Sequence, residues 1–294
     1  MADEYKPIPG FNIIAESIND SVPSTHELFE KGDIKGIIDL AKAQAAGGAA
    51  YIDVNIGKRD PKFMGEVVRA IQAEVTTPLS IDSPDPEIQR QGLSAYSPAK
   101  AGGKMPLVNS ISELRLPILE LNKITPFKAI LICTERMENG SGQPNKTPAE
   151  IHDTAKRLRK LVAAAPYGFN NDRIVFDPGL APIGADFEDL TRCTLDAMKL
   201  IHNDPDLKGV HMSVGLSNFT QMLPQKRANG EFVKTPLESA FLTLAMPLGL
   251  DMSIASTKKK YRLLAQNDDA LVALKEAIAA GSMETIMRVQ QFYS

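Results

Sequence analysis

Hydrophobic positions along the chain fall into two alternating rhythms. Short runs rich in β-branched and aliphatic residues recur at 11–16 (FNIIAE), 51–56 (YIDVNI), 79–83 (LSIDS), 106–111 (PLVNSI), 128–133 (KAILIC), 173–178 (RIVFDP), 209–215 (GVHMSVG) and 249–256 (GLDMSIAS). Their length and composition predict eight strands. Between them, apolar residues repeat at helical spacing. Segment 34–46 sets Ile37, Ile38, Leu40 and Ala41 on one stripe, and 66–73, 186–201 and 237–245 read as further helices. Pro148 opens a helix over 151–164, with Thr147 at the N-cap position and proline in the first turn.

Eight strands alternating with helices predict a (β/α)8 TIM barrel, taken as a single domain over 1–294. A doubly wound open sheet allows the same alternation. It usually carries a glycine-rich phosphate loop after its first strand, and here that strand runs into AESINDSVPS, without GxGxxG. Two polar loops, 134–147 and 223–234, follow strand C-termini, where a barrel keeps its substrate loops.

Composition narrows the partners. A hydrophobic content of 43% with 23% charged residues is that of a globular protein, and a net charge of −3 suggests neither nucleic acid nor a membrane surface. The N-terminus MADEYKPIPG has no signal-peptide pattern, and no apolar run approaches the roughly 20 residues that span a bilayer, so the cytoplasm is expected. Cys133 and Cys193 stand far apart, without CxxC or histidines at ligand spacing, which predicts neither zinc nor a disulfide framework.

Candidate chemistry lies at the strand ends. In chain order these carry Glu16 and Asn19, Asp53 and Asn55, Asp82 and Ser83, Asn109 and Ser110, Asp177, then Ser217 and Asn218. A barrel brings such positions to one mouth. The set has no evident nucleophile, metal cluster or Schiff-base lysine. Short carboxylates and amides suit the hydrogen-bonding edge of a flat polar heterocycle. Taken singly, each has a plainer reading: Asp53 or Ser83 as a turn or cap residue, Asp177 as the start of the turn at Pro178-Gly179, Asn218 as a cap for the following helix. His211 reads as a satisfied core histidine and Cys133 as a packing residue. Lys258-Lys259-Lys260 reads as a solvated helix start or as a contact for an anionic substrate tail.

The ordered motifs ESIN, DVNIG, IDS, VNS, DPGLAP and VGLSN resemble the pterin-binding barrels of methyltetrahydrofolate:corrinoid-protein methyltransferases, from Phe11 to the C-terminal helix. The resemblance implies an enzyme that moves a methyl group between N5 of tetrahydrofolate and the cobalt of a cobalamin carried by a separate corrinoid protein. It places Asp82, Asn109 and Asp177 on the pterin ring and Asn218 beside N5, with Gln221 and Arg227 nearby, and it implies a homodimer. Arg227 matches only with one extra residue in its loop, and AESIN stands where relatives carry GERIN. Dihydropteroate synthases are similar in the early motifs, but they end strand seven in a basic Ser-Arg-Lys motif where this chain has Ser217-Asn218-Phe219. A third reading is a folate-binding protein that does no chemistry.

Overall fold

All eight predicted strands form in the computed structural model, which describes residues 6–294; the first half of the polar N-terminal segment, 1–5, lies outside the described residues. The barrel strands are β1 (Asn12–Asn19), β2 (Tyr51–Asn55), β3 (Leu79–Asp82), β4 (Leu107–Ile111) and β5 (Lys128–Ile132). A hairpin of β6 (Glu135–Glu138) and β7 (Ser141–Pro144) intervenes before β8 (Ile174–Asp177), β9 (His211–Met212) and β10 (Met252–Ala255). Eight strands pair in parallel in the order β10-β1-β2-β3-β4-β5-β8-β9. The Ile254 N–H and the Ser253 hydroxyl both donate to the Val214 carbonyl, at 3.0 and 2.6 Å, and close the ring between β9 and β10. The barrel forms, and the open-sheet alternative falls.

Some boundaries differ from expectation. β1 runs on to Asn19 through a register shift between Ala15 and Ile18, so Glu16 lies within the strand. The strand expected over 209–215 shrinks to two paired residues, because the chain peels away at Gly215 to enter a short helix. The polar loop 134–147 folds into the β6–β7 hairpin, turned at Asn139-Gly140, both at positive φ, the signature of a tight hairpin turn. His211 is satisfied but is not a core residue. It sits half-buried at the N-terminal end of the barrel, bonded to Asp251 at 2.5 Å and facing Asp172 at 3.4 Å.

The helices are α1 (Pro23–Glu30), α2 (Ile34–Ala46), α3 (Pro61–Glu74), α4 (Pro86–Ala95), α5 (Pro148–Ala163), α6 (Leu190–Asn203), α7 (Leu216–Phe219), α8 (Lys234–Ala245), α9 (Asp269–Ala280) and α10 (Ser282–Tyr293). α3, α4 and α5 begin alike. An Asp or Thr side chain (Asp60, Asp85, Thr147) accepts a first-turn N–H, and proline follows where no N–H is needed. At α5 the Glu150 carboxylate returns the bond, completing a capping box.

Strand alternation explains where the site can be. Outward positions such as Ile52, Val54, Ile81, Val108, Leu131 and Phe176 are buried under the helices. Inward positions change character along the barrel axis. Ile14, Tyr51, Leu107, Ile130, Val175 and Met252 form an apolar plug. One inward step further along their strands come Glu16, Asp53, Asn109, Ile132, Asp177 and Ile254. The plug thus ends in a largely polar layer at the C-terminal mouth, where barrels bind substrates.

Candidate active site

A cavity of about 500 Å³ opens at that mouth, with Asp53, Asp82 and Asn109 on one wall and Ser217, Asn218 and Gln221 on another. The first wall is interlocked. Asn109 donates to Asp53 at 3.3 Å, and Asn55 donates to Asp82 at 2.8 Å while accepting from the Gly57 N–H. Behind them the buried Gln89 amide is shared among the carbonyls of Ile81, Ser83 and Asn109, tying the ends of β3 and β4 together. Asp53 is 1% exposed. Burial above all, then the charge of Asp82, pushes its carboxyl well above the ordinary range, against the bond from Asn109. Burial also raises Asp82, opposed by the bond from Asn55. With Asp53 buried and Asp82 partly so, ionising both carboxyls at once is costly, which favours a shared proton on this wall.

Asp177 ends β8 on the same rim without lining the cavity. One of its oxygens accepts the Gly179 N–H at 2.8 Å, the turn contact expected of an Asp-Pro-Gly step. Burial lifts its carboxyl to about 6, with only that backbone bond opposing the rise.

The wall after β9 is built differently. Gly215 leads into the four-residue α7, and the Asn218 amide nitrogen lies only 2.7 Å from the place a Cβ would take on Gly215. Residue 215 must therefore stay small for Asn218 to hold this position. Asn218 does not cap the helix: α7 has no side-chain cap, and among the described residues the exposed Asn218 amide makes no side-chain hydrogen bond. Ser217 instead donates to Glu16 across the mouth. Burial raises the Glu16 carboxyl, and the Ser217 bond and the Lys259 charge pull it back.

Glu16, Asn19, Asp53, Asp82, Asn109, Ser217, Asn218 and Gln221 all come together around the cavity. Asn55 stands one step back as the orienter of Asp82. Arg227 does not join them. Its guanidinium pairs with Asp269 at 2.7 Å and stacks on Phe292 at 3.6 Å, because the loop before α8 folds against the C-terminal helices. Ser83 acts as the turn residue it resembled, accepting the Asp85 N–H. Asp53 does not, since it points into the barrel.

Sequence reasoning missed the support beneath α7. Glu238, fully buried on α8, accepts from Lys259 at 2.6 and 2.8 Å and from Thr220, the residue after α7, at 2.5 Å. A charge buried in this way persists only when paired and hydrogen-bonded. A lone acid within the apolar run PLESAFLTLA was the available signal. Among the described residues, no group of His, Cys, Asp and Glu could hold a metal ion, and no helix is long and apolar enough to cross a membrane.

Residues 18–256 match the family described as pterin binding enzyme, and the chain belongs to that family. A methylcorrinoid:tetrahydrofolate methyltransferase of Eubacterium limosum is 28% identical over 256 residues, covering 82% of this chain and 83% of that protein. Among solved structures, the dihydropteroate synthase from Xanthomonas albilineans in complex with 7,8-dihydropteroate superposes with a TM-score of 0.53 at 20% identity, over 92% of this chain and 93% of that one. The 7,8-dihydropteroate synthase from Vibrio fischeri gives 0.56 at 16% identity, over 92% and 93%. At such identities these two structures show the shared barrel alone.

Proposed function

We propose that this member of the pterin-binding family is a methyltransferase acting between N5 of tetrahydrofolate and a corrinoid carried by a separate protein. The corrinoid cobalt is the other end of the transfer. The reading is supported by the similarity to the Eubacterium limosum methyltransferase. The observation that carries it is the Asn218 amide, held at the cavity rim by α7 with no side-chain bond of its own.

The chain's own task is to bind the pterin and ease bond-making or bond-breaking at N5. The wall of Asp53, Asp82 and Asn109 presents a donor and acceptors in fixed positions, matched to a heterocycle edge rich in N–H groups. An amine leaves carbon poorly unless it gains a proton or a strong hydrogen bond as the C–N bond stretches. A neutral amide can donate to N5 and strengthen that bond as charge develops, which favours the transition state over the ground state. Ser217-Asn218-Phe219 puts no cation at the end of strand seven, where Lys258 from the β10 side is the one cation lining the cavity among the described residues, which weighs against pterin–aminobenzoate condensation. A homodimer in the cytoplasm belongs to the same reading.

The test is single-turnover transfer between 5-methyltetrahydrofolate and reduced corrinoid protein, followed by cobalt absorption. Transfer at a rate set by enzyme concentration is expected. Tight folate binding with no transfer to any corrinoid would make this a folate-binding protein, and dihydropteroate formation from a pterin diphosphate would make it a synthase.

A further inference from the structure

Beyond Lys258 the cavity continues into a second depression of about 810 Å³, bordered by Lys234, Lys258, Lys260, Arg262 and the aromatic ring of Phe232. No acidic residue lines it among the described residues. Lys259 also borders it, but its charge is spent on Glu238, and that pair pins the loop after β10 in place. Lys258, Lys260 and Arg262 have no carboxylate within ion-pair distance among the described residues. On a chain with a net charge of −3, this local concentration of cations is not an overall bias.

We propose that this groove binds the anionic glutamyl tail of the folate substrate, so that the enzyme selects folates carrying several γ-linked glutamates over the monoglutamate. The inference rests on the folate reading above. Three observations support it. First, the two depressions adjoin, with Lys258 lining both. Second, β10 lies two strands round the mouth from β2, which carries Asp53, and four from β4, which carries Asn109. Lys258, on the loop after β10, lines the same cavity as those acids and is therefore within reach of a substituent on a ring seated there. Third, Phe232 is 63% exposed at the groove, an apolar face suited to the aminobenzoyl ring between pterin and glutamate. Each added glutamate then brings a carboxylate to a groove where Lys258, Lys260 and Arg262 have no ion-pair partner among the described residues.

The experiment is calorimetric titration of the full chain with 5-methyltetrahydrofolate as its mono- and triglutamate, without corrinoid protein. Exposed ion pairs are individually weak, so the triglutamate is expected to bind roughly five- to tenfold more tightly at low salt, a gain that fades as salt screens it. In Lys260→Gln/Arg262→Gln the ratio of the two affinities should fall to about 1, while Lys260→Arg should keep it. Equal affinities in the wild-type chain, with the monoglutamate still bound, would overturn the proposal and leave the folate reading standing. Failure of both forms to bind would instead overturn the folate reading, and this inference with it. If the double variant kept its preference for the longer tail but raised KM for the corrinoid protein, the groove would belong to an acidic face of that partner, and the tail assignment would be wrong.

Discussion

On the β2–β4 side of the mouth the acids and amides are engaged with neighbours: Asn109 with Asp53, Asn55 with Asp82, Gln89 with three carbonyls. On the β9–β10 side, the Asn218 amide and the Lys258 ammonium have no side-chain partner among the described residues, and their order comes from beneath, through Glu238, Lys259 and Thr220. A locked wall recognises a fixed shape at little further entropy cost. A wall of supported but unengaged donors keeps hydrogen bonds available for a ligand whose charge changes during reaction. Under the proposed function, ring recognition falls to the first side, and chemistry and tail binding to the second.

The largest effect that tests this division belongs to Asn218. Asn218→Ala should lower kcat on the order of 100- to 1,000-fold while weakening methyltetrahydrofolate binding by only about 1 kcal/mol. Asn218→Asp and Asn218→Ser should fail as well, because an ionised Asp cannot donate and Ser is too short. Near-normal single-turnover rates in either variant would return α7 to a structural role.

A smaller effect is expected opposite, and it should appear in binding. Asp82→Ala leaves the Asn55 amide without its acceptor and should cost about 1–3 kcal/mol of folate affinity by calorimetry. If kcat fell at saturating folate with affinity unchanged, the two sides would not divide the work as described.

Asp177 supplies a pH signature. Its folded carboxyl titrates near 6 against an ordinary 3.8, so between those values the folded chain holds a proton that the unfolded chain has released. The contribution of this group to stability is therefore full below 3.8 and declines as pH rises towards 6. Comparing melting temperatures of the ligand-free chain with those of Asp177→Asn across that window should show the decline in the wild type alone. If the ionised carboxylate accepts pterin N–H groups, folate affinity should rise as pH passes through 6. A flat affinity profile would remove Asp177 from the ring site.

The smallest expected effect is none. Chelation should leave methyl transfer unchanged when the corrinoid partner is intact, since no ligand cluster exists among the described residues. Activity lost to EDTA and restored by zinc would contradict the hydrogen-bonding account of both walls.

Some of this was legible in the residues alone. Short β-branched and aliphatic runs marked every barrel strand, and Thr147-Pro148 marked the start of α5, because these signals depend on neighbours within a few positions. The Asn139-Gly140 turn was equally local, yet the polarity of its surroundings hid the hairpin. Arg227 lay within reach of the mouth by chain position, and its capture by Asp269 and Phe292 depends on helices more than forty residues later.

The sequence by itself determined the alternation of strands and helices, and with it the set of acids and amides at strand ends, since strand periodicity puts every second residue on the same face. Tertiary structure decided which of these share a cavity, which are locked and which stay available. Asp53 became a buried partner of Asn109 because closing the barrel set β2 and β4 on either side of β3, fifty-six residues apart in sequence. Asn218 remained unengaged because a buried Glu238 on the following helix held its support in place, and no local pattern specifies such a contact: burying a charge is decided by the groups that fold around it.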